Sequence, residues 1–445
     1  MGAMIEPVSG EEIIPKLEIL KPLPSIALAV SGGPDSMALL YLVNMWVEAG
    51  GQSCPEIRVL TVDHGLRKQS AQEAEFVKHQ CRAYGHLHDT LVWQGEKPIA
   101  GLQEAARDAR YDLITDYCKR HFIPAILTAH HLDDQAETIL MRLARGSGLD
   151  GLAGMAPKTQ RSGIEIFRPL LSYSKERLIA TLYKAGWNWM EDPSNQDTQF
   201  ERVRWRNSLP DLEKFGLAPS TLVKSAQRLG RARHALERQA DRIAGDLVAV
   251  YPIGFAEIDW QQYYDLPDEF ALRILGRVIL GIGGGLRPPQ LSKLENLHAN
   301  LMDGAYETTK CMTLGRCQIE NDGKNLRIFR EVRSTDNVEL LIEPGEKAIW
   351  DDRFLVEVFE KAPKPVIIRH LTESQFLGLD NSGHNRSTQP VRSRAGLVSI
   401  WSEKHLQAVP QINYYSSSSN YNENTVPYRV TFNNYLQIYG TGYEN

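Results

Sequence analysis

Six consecutive residues, Ser31-Gly32-Gly33-Pro34-Asp35-Ser36, carry the first sign of chemistry. They follow an apolar run, Ile26 to Val30, and precede a helix-like pattern with Met37, Leu39 and Leu40. Two glycines between a strand and a helix expose successive backbone N–H groups, and the helix dipole there favours an anion. Ser36 adds a hydroxyl at the helix start. No Gly-Lys-Ser/Thr follows to hold a β,γ-phosphate, and Asp35 offers a carboxylate where that lysine would stand. A carboxylate beside phosphates calls for a bridging cation, most naturally Mg²⁺. The plain alternative is a glycine-rich turn in which Asp or Ser caps the helix.

A second cluster is His130-His131-Leu132-Asp133-Asp134, with Glu137 and Thr138 beyond it. If a helix starts near Leu132, Asp133 and Glu137 are i,i+4 neighbours on one face, and Asp134 and Thr138 form the adjacent row. Such a set could bind a divalent metal, orient a nucleotide, hold an ammonium group, or only cap the helix. It is not His-Glu-x-x-His, which argues against a zinc hydrolase. Asp63, His64 and Arg67 follow another apolar run, and Arg107 and Arg110 lie among Glu104 and Asp108. The bland accounts of these are a satisfied turn and surface ion pairs. Arg202, Arg204 and Arg206 alternate with Val203 and Trp205; they could grip phosphates or pair with Asp192, Asp197 or Glu201.

Strand-like runs near 25–30, 57–63, 88–93, 123–129 and 164–170 must position these groups. Helical patterns near 35–48, 69–84, 101–120, 132–145 and 174–185 separate them. Continuous apolar strands between amphipathic helices predict an α/β fold with a doubly wound parallel sheet. In such sheets ligands sit beyond the carboxyl ends of the strands, where the polar clusters fall. From about 205 the pattern turns helical. Lys224, Arg228, Arg231, Arg238 and Arg242 share an arc of one helix, either a solvated face or a phosphate-contacting one. A β-rich tail follows from about 313, with "YYSSSSNYNEN" read as an exposed loop. Three domains are expected: 1–205 catalytic, 206–330 mostly helical, and 331–445 β-rich.

Composition sets the frame. A hydrophobic share of 42% and a charged share of 24% over 445 residues are those of a soluble globular chain of two or three domains. No run approaches a membrane span, and Glu11 and Glu12 interrupt any secretory leader, so a cytoplasmic protein without membrane partners is expected. Five scattered cysteines form neither a disulfide framework nor a Cys-x-x-Cys metal signature, and Cys311 and Cys317 read as structural thiols. The net charge of −5 hides an asymmetry: residues 1–157 carry −6 and residues 158–242 carry +6. That central positive segment is where a polyanionic partner would bind.

The Ser-Gly-Gly-x-Asp-Ser string resembles the pyrophosphatase loop of the N-type ATP pyrophosphatases, which cleave ATP between the α- and β-phosphates and adenylate a substrate oxygen. "VDHGLR", "AARDARYDLI", "TAHHLDDQAETILMRLARGSGLDGLAGM", "RPLLSYSKERLI", "EDPSN" and "RVRWR" follow in order. Together they resemble the tRNA(Ile)-lysidine synthetase family, densely over residues 22–210. Members usually carry Arg-Asn-Arg-aliphatic-Arg where this chain has Val203 and Trp205.

The resemblance implies an enzyme using ATP, with Mg²⁺, to adenylate the 2-carbonyl oxygen of the wobble cytidine of tRNA(Ile) with a CAU anticodon. The ε-amine of L-lysine then displaces AMP to give lysidine. Ser31, Gly32, Gly33, Pro34, Asp35 and Ser36, with Asp63, His64 and His130, are then assigned to the nucleotide. Asp35, Asp133, Asp134, Arg202 and Arg206 are assigned to catalysis, with Asp133 or Asp134 holding or deprotonating the amine. Arg107, Arg110, His131, Glu137, Arg204, Arg228 and Arg231 are assigned to substrate. The oligomeric state is open, with a homodimer among the options. Rival readings are a tRNA thiolase with the same loop and a nucleotide-sensing module without turnover. Pyrophosphate release dependent on both tRNA and lysine separates the three.

Overall fold

A computed structural model describes residues 5–439 apart from 66–69, 96, 99–100, 192–196, 286, 304–310, 333–338, 380–389 and 417–425. Arg67, Asp192 and most of the serine-rich loop therefore lie outside the described residues. The chain divides into two compact units, Met1–Arg233 and His234–Asn445.

The first unit is built on a six-stranded sheet. After α1 (Gly10–Leu17) come β1 (Ser25–Ala29), α2 (Pro34–Gly50), β2 (Glu56–Asp63), α3 (Ser70–Ala83) and β3 (Leu87–Val92). They are followed by α4 (Leu102–Arg120), β4 (Ala125–Leu127), α5 (Leu132–Ala144), α6 (Leu149–Leu152), β5 (Lys158–Arg161), β6 (Ile164–Phe167) and α7 (Lys175–Ala185). The strand order is β3-β2-β1-β4-β6-β5, parallel except for β5, which forms an antiparallel hairpin with β6. That hairpin is not apparent from the sequence, because Lys158–Arg161 is too polar to read as a strand.

The central strands are apolar on both faces because helices cover both. Ile26, Ala27 and Leu28 of β1 and all of β4 are wholly buried. Each Ile or Leu so buried contributes about 1.5–3 kcal/mol over exposure. Helix α2 is buried along most of its length from Ser36 to Trp46, which seats it against the sheet and fixes its first turn beyond β1. Pro34 at its first position pre-sets the helical φ and gives up an N–H that would have no acceptor there. Helix α7 is capped by the Ser174 hydroxyl and ends at Gly186 in the left-handed region, with φ of 68°.

Helix α8 (Glu201–Lys214) and the start of α9 (Pro219–Leu247) pack on α5 through Ala136, Ile139, Leu140, Leu209, Leu222, Val223 and Ala226. Val203 is buried and Trp205 packs at the edge of this cluster, so the two departures from the family string serve the core.

The second unit mixes helices and strands from its start, since the hairpin Val248–Tyr251/Phe255–Asp259 follows α9 and precedes the helices at 260–303. It has three antiparallel sheets among the described residues. One core joins Ala244 and Leu247 of α9 with Ile274, Leu275 and Val278 of the helix Asp268–Gly283. It continues into Ile319, Ile328, Phe354, Val356 and Ile400 of the strands. The helical stretch beyond 234 and the β-rich tail thus share one apolar interior.

Candidate active site

The carboxyl ends of β1, β2 and β4 open into a cleft of about 430 Å³. Ser31, Gly33, Pro34, Asp35 and Ser36 line one side. Gly32 has φ of +87°, a conformation that strains any side chain, and a Cβ there would meet Val77 and Glu73. Its carbonyl accepts the Met190 N–H at 2.9 Å, so the chain beyond α7 braces the loop from behind. The Ser36 hydroxyl donates to the Gly33 carbonyl at 2.9 Å and accepts the Ser31 N–H at 3.2 Å. These bonds hold the loop open with its own side chains. The first amides of α2 have no intrahelical acceptor and remain available to an anion.

Asp35 Oδ2 lies 3.4 Å from Lys175 Nζ and 3.5 Å from His131 Nε2. Its other oxygen, Oδ1, is buried without a hydrogen bond. His131 occupies the N-cap position of α5 and is only 2% exposed, yet three carboxylates surround it. Asp133 Oδ2 is 3.4 Å from Nδ1, and Asp134 Oδ2 is 3.4 Å from Nε2. Burial opposes a charge on this ring, but the hydrogen bonds to Asp133 and Asp35 and the charge of Asp134 prevail and raise its pKa to about 10. The imidazolium, with Nδ1–H toward Asp133, therefore prevails over the neutral tautomer in which Nδ1 would accept the Asp134 amide at 3.4 Å. His130, by contrast, is neutral. Burial pushes its pKa down to about 3, and Arg107, Arg168 and Arg202 oppose a charge that Asp134 alone would favour. Its Nδ1 lies 2.9 Å from the Thr128 hydroxyl.

Glu137 is wholly buried and receives two guanidinium groups, Arg202 Nε at 2.6 Å and Arg206 Nε at 2.7 Å. Arg202 also reaches Asp134 Oδ1 at 3.0 Å. Arg202 and Arg206 are i,i+4 on α8 and so share a face. Arg204 is on another face, exposed, and donates to the carbonyls of Thr198 and Gln199 outside the cleft. Asp134 stays ionised with its pKa near 2, because burial is outweighed by the charges of His131 and Arg202. The partners of Arg202 are thus α5 carboxylates and not Asp197 or Glu201.

Arg107 and Arg110 line the cleft around the Tyr111 ring, 5.4 and 5.8 Å from its centroid. Asp108, their sequence neighbour, pairs instead with Arg161 at 3.2 Å. Among the described residues neither Arg107 nor Arg110 has a carboxylate partner. Burial pulls the pKa of Arg110 down, which is the cost of keeping a bare cation in a cleft. His64 lines the cleft, whereas Asp63 accepts the Gly65 N–H at 2.8 Å and closes the turn after β2. Asp133 points to α7, accepting the Lys175 N–H at 2.8 Å. Arg228 and Arg231 are exposed on α9, away from the cleft.

The structure thus gathers the loop, His64, Arg107, Arg110, His130, Asp134, Arg202 and Arg206 around one cavity, with His131 and Glu137 buried behind it. Asp63, Asp133, Arg204, Arg228 and Arg231 do not line it. Lys175 does line it and escaped the sequence reading. Its signal was positional, since it opens the helix after β6 just as Pro34-Asp35 open the helix after β1.

A family model described as a PP-loop domain matches residues 11–213. A tRNA(Ile)-lysidine synthase of Wolbachia pipientis wMel is 33% identical, covering 89% of this chain and 90% of its own. One of Ruegeria pomeroyi is 35% identical over 86% and 88%. The chain belongs to the tRNA(Ile)-lysidine synthase family. A third member, from a Bradyrhizobium strain, is 44% identical over 63% of this chain and 82% of its own. The PP-loop domain matched is an ATP-utilising one, and the relatives match well beyond it.

Cys81, Cys118 and Cys317 are buried, and burial raises each thiol pKa to about 12. No group of three or more metal-ligating side chains occurs among the described residues. No described helix is long and apolar enough to cross a membrane.

Proposed function

We propose that the protein converts the wobble cytidine of tRNA(Ile) with a CAU anticodon to lysidine, consuming ATP and L-lysine. The observation that carries this is the convergence of the diglycine loop, the free arginines 107 and 110, and the Asp134–Arg202 pair on one cleft. The loop amides and Ser36 hold the β- and γ-phosphates. The cytosine 2-carbonyl oxygen attacks the α-phosphorus, the bond to the β-phosphate bridging oxygen breaks, and pyrophosphate leaves. Arg107, Arg110, Arg202 and Arg206 neutralise charge that grows on the phosphoryl oxygens. Lysine's neutral ε-amine then attacks ring carbon 2, and AMP departs with the former carbonyl oxygen.

Asp134 is the carboxylate suited to the amine, because it lines the cleft while Asp133 is committed to α7. With its pKa near 2 it stays ionised and orients the lysine ε-ammonium, which loses one proton to water before the neutral amine attacks. Asp134 then passes to water the second proton, released as the C–N bond forms and the nitrogen becomes acidic. The orphaned, buried Asp35 Oδ1 fits a divalent cation that arrives with the nucleotide, which keeps most of its ligands from phosphate and water. Mg²⁺ there would offset phosphate charge.

The basic face of α9 and the chain from 206 to 330 are proposed to grip the anticodon arm, and residues 331–445 another part of the tRNA. A cytoplasmic setting follows from the substrate, and a homodimer is compatible with it. The deciding experiment is mass analysis of tRNA(Ile) incubated with enzyme, ATP and each amino acid in turn. A lysine-dependent mass increase on the wobble nucleotide is expected, and none with any amino acid overturns the reading.

A further inference from the structure

Lys175 is the cleft cation that the reaction above leaves without a task. Its backbone N–H is anchored on Asp133 Oδ2, which fixes where the side chain begins. Its ammonium lines the cleft 3.4 Å from Asp35 Oδ2. Both side chains are about a third exposed, at 32% and 27%, so as a brace the pair contributes little. Asp35 does not depend on it either, since His131 reaches the same oxygen. The other oxygen of Asp35 is buried and unpartnered, so the carboxylate is only half satisfied with Lys175 in place.

The loop itself has no cation between Ser31 and Ser36. A helix N-terminus supplies only about half a unit of positive charge, against the several negative charges of a triphosphate tail. A partly exposed ammonium on a long side chain, within reach of the loop and held by a single long contact, is placed to make up the difference.

We propose that Lys175 is a further ATP-binding residue whose ammonium leaves Asp35 for the β- and γ-phosphate oxygens when the nucleotide enters. Asp35, released, faces the cation that accompanies the phosphates. Carboxylate and ammonium then each exchange one opposite charge for another, so the switch leaves neither unpaired. The lysine that other phosphate loops carry within their own sequence is here delivered by a different strand–helix junction. This inference rests on the reading that polyphosphate occupies the loop.

The test is calorimetric binding of ATP, inorganic pyrophosphate and AMP, each with Mg²⁺, to the full-length protein and to Lys175→Met and Lys175→Arg. Lys175→Met is expected to weaken ATP and pyrophosphate about ten- to hundredfold, the range for a charge-assisted hydrogen bond. AMP, which lacks both outer phosphates, keeps its affinity, and Lys175→Arg recovers most of the loss for ATP. Unchanged ATP and pyrophosphate affinity overturns the proposal, as does an equal loss for AMP. Should Lys175→Met lower the melting temperature, Lys175→Gln is judged by the same criteria. If the wild-type protein binds no pyrophosphate, the loop reading falls and this inference with it.

Discussion

Glu137 and His131 illustrate opposite solutions to burying a charge. Glu137 has two arginines on its two oxygens, so each oxygen meets a cation. Glu137→Gln leaves both guanidinium groups short of a charge. Because they are about a third exposed, the expected loss is at or below about 3 kcal/mol, read by chemical denaturation. His131 is the reverse, one cation among three carboxylates. Its folded pKa of about 10 lies above the ordinary 6.5, so its stabilising contribution is complete below pH 6.5 and is lost as pH rises through 10. Denaturation between those limits should show stability falling with pH, and His131→Asn should flatten that slope. Asp134→Asn should lower turnover with tRNA binding intact; unchanged turnover would remove Asp134 from the chemistry.

The loop between β1 and α2 depends on backbone more than on side chains. Gly32→Ala puts a side chain at φ +87°, at about 1–2 kcal/mol of strain, and should weaken ATP binding more than it lowers melting. Helix α9 carries its basic residues on a solvent face, with Leu222, Val223 and Ala226 buried on the other. Neutralising Arg228 and Arg231 to Gln should reduce the log–log salt slope of tRNA binding by about 1.5–2, as expected for two phosphate contacts. An unaltered slope would leave that face as simple solvation. Most elements of the first unit were legible because apolar runs and amphipathic helices alternate along it. The hairpin strand β5 was not, since its pairing with β6 depends on a neighbour and not on its own composition.

Across the molecule each unit has its own interior, and the second contains a charged knot. Asp351 receives Arg316, Arg330 and Arg353 at 2.8–2.9 Å, and Arg353 is fully buried. Burial would raise the Asp351 pKa, but the hydrogen bond from Arg330 and the charges of Arg353 and Arg330 hold it below the usual carboxylate range. Asp351→Asn should cost the second unit about 3–5 kcal/mol, seen as an earlier calorimetric transition. ATP affinity, a property of the first unit, should not change.

The residue types in the loop, the histidine–aspartate cluster and the arginine string were fixed by sequence, because strand-to-helix junctions bring such clusters to one edge of a parallel sheet. Which carboxylate meets which arginine was not. Arg202 pairs with Asp134 and Glu137 and not with Asp197 or Glu201, since the packing of α8 on α5 brings those oxygens to 2.6–3.0 Å. Asp133 and Lys175 were settled the same way, one turned toward a backbone and the other into the cleft. Spacing along a chain gives the direction a side chain leaves its own helix, and only the packed neighbour decides what it finds there.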